Sequence, residues 1–198
     1  ESGTGSGIFV PNLDIAISLN VGPNATVFQS EVKAIELCAS ECAARGILNS
    51  DIWICSDSQA ALKALKSNKL NSKTVRCCFE TLQRLGTSNK VTLVWVPGHC
   101  GFLGNEKADE LAKMKLNEEV PDLVLPVSQC LVKGTVRKNT LKSRQVFWTS
   151  IEGQRQAKEL IRGPCEKRST ALLSLKREEV RQITRLMTGH CLLKHHAI

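Results

Sequence analysis

The chain has 198 residues, 42% of them hydrophobic, which is enough to bury the core of one domain and to carry an appendage. No apolar stretch is long enough to cross a bilayer, and the opening ESGTGSGIFVP lacks the basic start and long apolar run of a secretory signal. The net charge of +8 is unevenly spread: residues 1–117 hold 12 Lys and Arg against 11 Asp and Glu, whereas residues 118–198 hold 15 against 8. A near-neutral body with a basic tail suits a polyanionic partner held by the tail; a solvated helical surface is the other reading of the same charge. The nine cysteines are odd in number and contain no CxxC pair. They read as reduced thiols of an intracellular protein of the cytoplasm or nucleus. The first residue is Glu, not Met, so the sequence is expected to be a piece of a longer chain.

In chain order, GTGSGIFVP reads as a Gly-rich entry into a strand, and LDIAISL alternates apolar and polar residues as a half-buried strand does. The two form a hairpin across Pro11-Asn12. The period then changes. Glu31, Ile35, Cys38 and Cys42 fall on one helical face, and Gly46 is a natural stop. DIWIC is a short buried strand ending at Ser56-Asp57-Ser58. QAALKALKS and TVRCCFETLQRLG are helical, KVTLVWV is a strand closed by Pro97-Gly98, and GNEKADELAKMKL is a helix that Asn105 can cap. Two strands, a helix, a strand, two helices, a strand and a helix make a mixed α/β layer fold over residues 1–117. Residues 118–130, with Pro121 and Pro126, read as a linker. Residues 131–198 form a basic helical tail in which RKNTLKSRQVFWTSIEGQRQAKEL and KREEVRQITRLMT are amphipathic helices.

Three carboxylates occupy unexpected positions. Glu31 lies on the apolar stripe of its helix, where an unpaired buried carboxylate costs several kcal/mol. Its ordinary role would be to favour the helix N-terminal dipole. Asp57 follows directly on a buried strand, at the carboxyl end where α/β sheets place ligands, although Asp57 or Ser58 could simply cap the next helix. Asp109 shares a helical face with Ala112 and Leu116, or else is an exposed surface carboxylate. Together, a carboxylate from each of two helices and one from a strand end can converge on hard divalent cations. Two such ions about 4 Å apart activate water and stabilise the leaving oxygen of a phosphodiester.

Phe28-Gln29-Ser30-Glu31, Ser56-Asp57-Ser58-Gln59-Ala60-Ala61 and the block VPGHCGFLGNEKAD from Val96 to Asp109 resemble the ribonuclease H family over roughly residues 1–117, in the right order. The version resembles the domain of non-LTR retrotransposon polyproteins, and LKREEVRQITRLMTGHCLLKHH is similar to the segment that follows it there. The resemblance implies a ribonuclease H-like mixed sheet flanked by helices, and a metal-dependent endonuclease that hydrolyses the RNA strand of RNA–DNA hybrids during reverse transcription. It implies a two-ion Mg²⁺ (or Mn²⁺) site, with Glu31, Asp57 and Asp109 as catalytic ligands and His99 as a mobile group aiding proton transfer or product release. Ser58, Gln59 and Asn105 flank the carboxylates as candidate contacts to the hybrid backbone. The rest of a reverse transcriptase polyprotein is the expected partner. The family's first aspartate, on a first, central strand just before the Gly-rich segment, has no match here, so at most weak activity is expected. Asp14 sits in the outer hairpin, and Asp51 is at the far end of its strand. His190, Cys191, His195 and His196 could supply half of a zinc site. A degenerate, non-catalytic nucleic-acid-binding module with a basic tail is the alternative. An integrase-like nuclease fits less well, because that class places Asp first and Glu last.

Overall fold

The computed structural model describes residues 4–70, 72–116, 118–153 and 155–190. The zinc half-site proposed from Cys191, His195 and His196 lies outside the described residues.

The first half begins as the alternation demands. Strands β1 (Gly5–Val10) and β2 (Ile15–Asn20) pair antiparallel from Gly5↔Asn20 to Val10↔Ile15. A 3-10 turn at Pro11–Leu13 joins them, and Asp14 closes it in the left-handed region. Helix α1 (Val27–Ala44) starts at a capping box: the Thr26 hydroxyl accepts from the Gln29 backbone N–H, and the Gln29 side chain accepts from the Thr26 N–H. Past its end Gly46 adopts the left-handed conformation that ends helices. Strands β3 (Asp51–Ser56) and β4 (Lys90–Trp95) pair parallel, from Asp51↔Lys90 to Ser56↔Trp95. Helices α2 (Gln59–Lys66) and α3 (Lys73–Gly86) form the crossover between them, as a parallel pair requires. Helix α4 (Leu103–Met114) follows β4.

The architecture is thus mixed α/β, with helices on the faces of a sheet that is split. β1 pairs only with β2 and β3 only with β4, and no strand bridges the two pairs among the described residues. Two packing layers result. The main core lies where Val32, Ile35 and Ala39 of α1 meet Ile54 of β3, Leu65 of α2 and Cys78 of α3. On the opposite face α4 packs on β1 and β2. Gly5 and Gly7 explain how closely it does so. A Cβ on Gly5 would stand 1.9 Å from the Ala112 carbonyl oxygen, and one on Gly7 2.1 Å from that of Ala108. The Ser18 hydroxyl donates to the Leu111 carbonyl and ties the same helix to β2.

The segment after α4 lies along β2. The Leu123 and Leu125 N–H groups donate to the carbonyls of Asn20 and Val21, the Asn20 N–H donates to Asp122 at 2.8 Å, and Leu125 is buried. A linker read from its prolines is therefore also a strap.

Residues 1–131 and 132–198 form two compact units. The second contains most of α5 (Gln129–Ser150), together with α6 (Arg155–Leu160), α7 (Glu166–Leu173) and α8 (Arg177–Thr188). The single amphipathic helix expected over residues 137–160 is interrupted after Ser150, and Gly153 sits at φ +79°. Trp148 then reaches back, its indole N–H donating to the Ile161 carbonyl at 2.8 Å. Asn105 does not cap α4, which begins two residues earlier with Phe102 in the cap position.

The close approach at Gly7, and the open space at Gly134, are testable. Gly7→Ala should destabilise by about 1–3 kcal/mol or more, because the obstacle is backbone and cannot swing aside. Gly134→Ala, in an open stretch of α5, should stabilise by up to about 1 kcal/mol. Urea unfolding of each variant measures both; a harmless Gly7→Ala would contradict the close approach of α4.

Candidate active site

Each of the three carboxylates arrives by a separate local device. Glu31 follows Ser30, and Ser30 is pinned to β1: the Ser6 hydroxyl donates to the Ser30 carbonyl at 2.9 Å, and the Ser30 hydroxyl donates to the Gly5 carbonyl. Both serines are buried. Glu31 lies beyond the first turn of α1, so the helix N-terminal dipole does not account for it. Asp57 follows the last residue of β3. Ser58, not Asp57, caps α2 by accepting from the Ala61 N–H at 3.3 Å. Asp109 projects from α4, the helix that the β1 glycines admit.

All three line one cleft of about 400 Å³ between β1, β3, α1 and α4. Glu31 feels the other two: its carboxyl is pushed up to about 7, first by burial and then by the negative charges of Asp57 and Asp109. Asp57 is held from several sides. The Asn105 amide donates to its Oδ2 at 3.3 Å, and the Trp95 indole N–H donates to its backbone carbonyl at 3.1 Å. Gly98 leaves the space it needs, since a Cβ there would lie 2.8 Å from Asp57 Oδ2. His99 stands over Asp109, with Nδ1 3.9 Å from Oδ2, on an exposed loop and in a left-handed conformation at φ +54°.

The donors are the hard oxygens that a divalent cation prefers, and their mutual repulsion is what a cation would relieve. Among the described residues no group of three or more His, Cys, Asp or Glu is close enough to close around an ion. Asp57 leans on Asn105 and Asp109 faces His99, so the charge is gathered but the ligand set is open.

The family model described as RNase H matches residues 3–117. The chain belongs to the RNase H family. A ribonuclease H of Francisella philomiragia subsp. philomiragia is 42% identical over 59 residues, which are 30% of this chain and 34% of that protein. The chain thus spans about a third of the length of this curated relative. A solved RNase H1 of the halophilic archaeon Halobacterium salinarum NRC-1 aligns at 23% identity and a TM-score of 0.42, over 57% of this chain and 93% of that one.

Within the RNase H domain, Glu31, Asp57 and Asp109 line one cleft, His99 stands beside Asp109 without lining it, and Asn105 touches Asp57 directly. Ser58 has its hydroxyl engaged as a helix cap. The Gln59 side-chain oxygen accepts from Lys63 at 3.3 Å, on an exposed surface. Sequence reasoning missed three residues: Gly98, which looked like turn punctuation; Trp95, which looked like a strand residue; and Ser6. The signal for Ser6 was a polar residue on the inward face of β1, in line with Ile8.

The raised Glu31 carboxyl gives a pH signature in the absence of divalent cations. Folding favours its protonated form, so that contribution is full below about pH 4.5 and is lost as pH rises through about 7. The loss amounts to at most about 3 kcal/mol. Glu31→Gln should therefore match the parent in stability near pH 4 and exceed it at pH 8. Chemical denaturation in EDTA at both values checks this, and a pH-independent difference would contradict it.

Proposed function

We propose that this RNase H domain is a divalent-cation-dependent endonuclease acting on the RNA strand of RNA–DNA hybrids, with Glu31, Asp57 and Asp109 as its metal-binding and catalytic carboxylates. The observation that carries this reading is the shared cleft in which burial and two neighbouring carboxylates raise Glu31. Mg²⁺ or Mn²⁺, when bound, would supply the activation of water and the neutralisation of phosphate charge that phosphodiester hydrolysis needs. Asn105, Trp95 and Gly98 hold Asp57 in place. His99, beside Asp109 on an exposed loop, is suited to carry a proton between that carboxylate and solvent. Ser58 and Gln59 are the proposed contacts to the hybrid, recognised through backbone shape and 2′-hydroxyls.

We read the chain as an RNase H-like domain over 1–117, a linker over 118–130 and a basic helical tail over 131–198, of the kind found in retrotransposon polyproteins. The support is the sequence that follows the domain and its concentration of positive charge. The open ligand set favours a second reading, a non-catalytic module that binds nucleic acid through the tail.

An assay on a labelled RNA–DNA hybrid with Mg²⁺ separates the two. The expected result is slow cleavage of the RNA strand alone, reduced at least a hundredfold by Asp57→Asn and markedly by Gly98→Ala. Cleavage indifferent to Asp57→Asn would overturn the site assignment, and hybrid binding without cleavage would favour the second reading. The tail should also govern non-specific affinity. Each phosphate contact contributes about −0.9 to the log–log salt slope on duplex DNA. The slope for the full chain should be several contacts steeper than that for residues 1–131; equal slopes would reduce the tail to a solvated extension.

A further inference from the structure

Strand β4 is composed like an interior strand and placed like an edge. Its run VTLVW has the continuous apolar and β-branched character of a strand covered on both faces, yet no residue from Lys90 to Trp95 is buried. β3 is its one strand partner among the described residues. The Lys90 and Val96 N–H groups donate to the carbonyls of Ser50 and Ser56, on the β3 side. Backbone groups alternate along a strand, so those of Thr92 and Val94 also face β3, and those of Val91, Leu93 and Trp95 face outward. Such an edge is ordinarily guarded by a charge, a proline or a bulge. This one has no proline, and its register with β3 runs unbroken from Asp51↔Lys90 to Ser56↔Trp95. Its single charge, Lys90, is turned to Asp51, with Nζ 3.5 Å from Oδ1.

The edge is complementary to itself. A two-fold axis normal to the sheet at Leu93 runs two β4 strands antiparallel. Leu93 then lies opposite Leu93 of the second copy, Val91 opposite its Trp95, and Thr92 opposite its Val94. The residues with outward groups meet one another, and each such pair exchanges both hydrogen bonds. An axis at Thr92 would give two such pairs in place of three. No charge meets a like charge, and Val91 against Trp95 is a β-branched–aromatic pair of the stabilising kind. Beneath the edge, Val91 and Leu93 line a groove of about 380 Å³ with Leu65 of α2 and Phe79 and Leu82 of α3. The groove leaves room on that face for Leu93 of the second copy.

We propose that the outer edge of β4 is a homodimer interface, at which a second copy of this chain adds its own β4 and forms the four-stranded sheet β3-β4-β4-β3. The inference rests on the strand's edge and not on nuclease activity. Sedimentation equilibrium of the full chain between about 1 and 100 µM should show monomer passing to dimer. Over the same range, amide exchange at Val91, Leu93 and Trp95 should slow with concentration, while Thr92 and Val94, already bonded to β3, stay constant. Thr92→Lys with Val94→Lys sets like charges across the axis twice and should weaken the dimer at least tenfold. Thr92→Lys with Val94→Glu sets opposite charges in the same places and should restore it, which damage to the fold would not. A chain that stays monomeric throughout that range, a dimer indifferent to the first double variant, or two double variants equally impaired would each overturn the proposal. So would concentration-dependent protection confined to Gly5–Val10 or Asp51–Ser56, because association would then run through other edges.

Discussion

The arrangement depends on helix α1 being fastened to both strand pairs. Its first turns are joined to β1 by the Ser6–Ser30 hydrogen bonds, which are buried and therefore costly to leave unmade. Further along, Val32, Ile35 and Ala39 share a core with Ile54 of β3 and Cys78 of α3. With no ladder between β1 and β3 among the described residues, the two pairs are joined through this helix and through the hydrogen bond from Asn105 of α4 to Asp57 at the end of β3. Glu31 sits one residue after the polar anchor, between the serine network and the apolar core. Its burial follows from the fastening.

Much of this was legible in the sequence because the informative residues obey local rules. The Gln29 capping box fixes where α1 begins, so Glu31 can be placed on a known face. β3 ends at Ser56 because Ser58 caps the next helix, which leaves Asp57 at the strand's carboxyl end. What was not legible depends on contacts between distant segments. Nothing local says that Gly7 is required by the Ala108 carbonyl about a hundred residues away, or that Gly98 clears space for Asp57. Asn105 shows the same failure in another form. Its position invites a capping role, but tertiary packing starts α4 earlier and turns its amide to Asp57. The break after Ser150 was missed because the residues on either side keep helical periodicity; Gly153 was the local cue.

The electrostatics of the cleft and of the tail oppose one another. Three half-buried carboxylates gathered in one cleft repel a phosphate backbone, and the approach of such a polyanion would raise Glu31 further unless a cation neutralised the group. The positive charge that could attract the polyanion is concentrated in residues 118–198, where 15 Lys and Arg stand against 8 Asp and Glu. At physiological ionic strength a charge is largely screened beyond about 8 Å, so on the proposed reading the tail acts by touching the same polyanion. On the proposed reading, attraction and chemistry are therefore assigned to different parts of the chain: the tail supplies salt-sensitive, sequence-independent affinity, and the cleft supplies selectivity through the cation that its carboxylates require before any phosphate can enter.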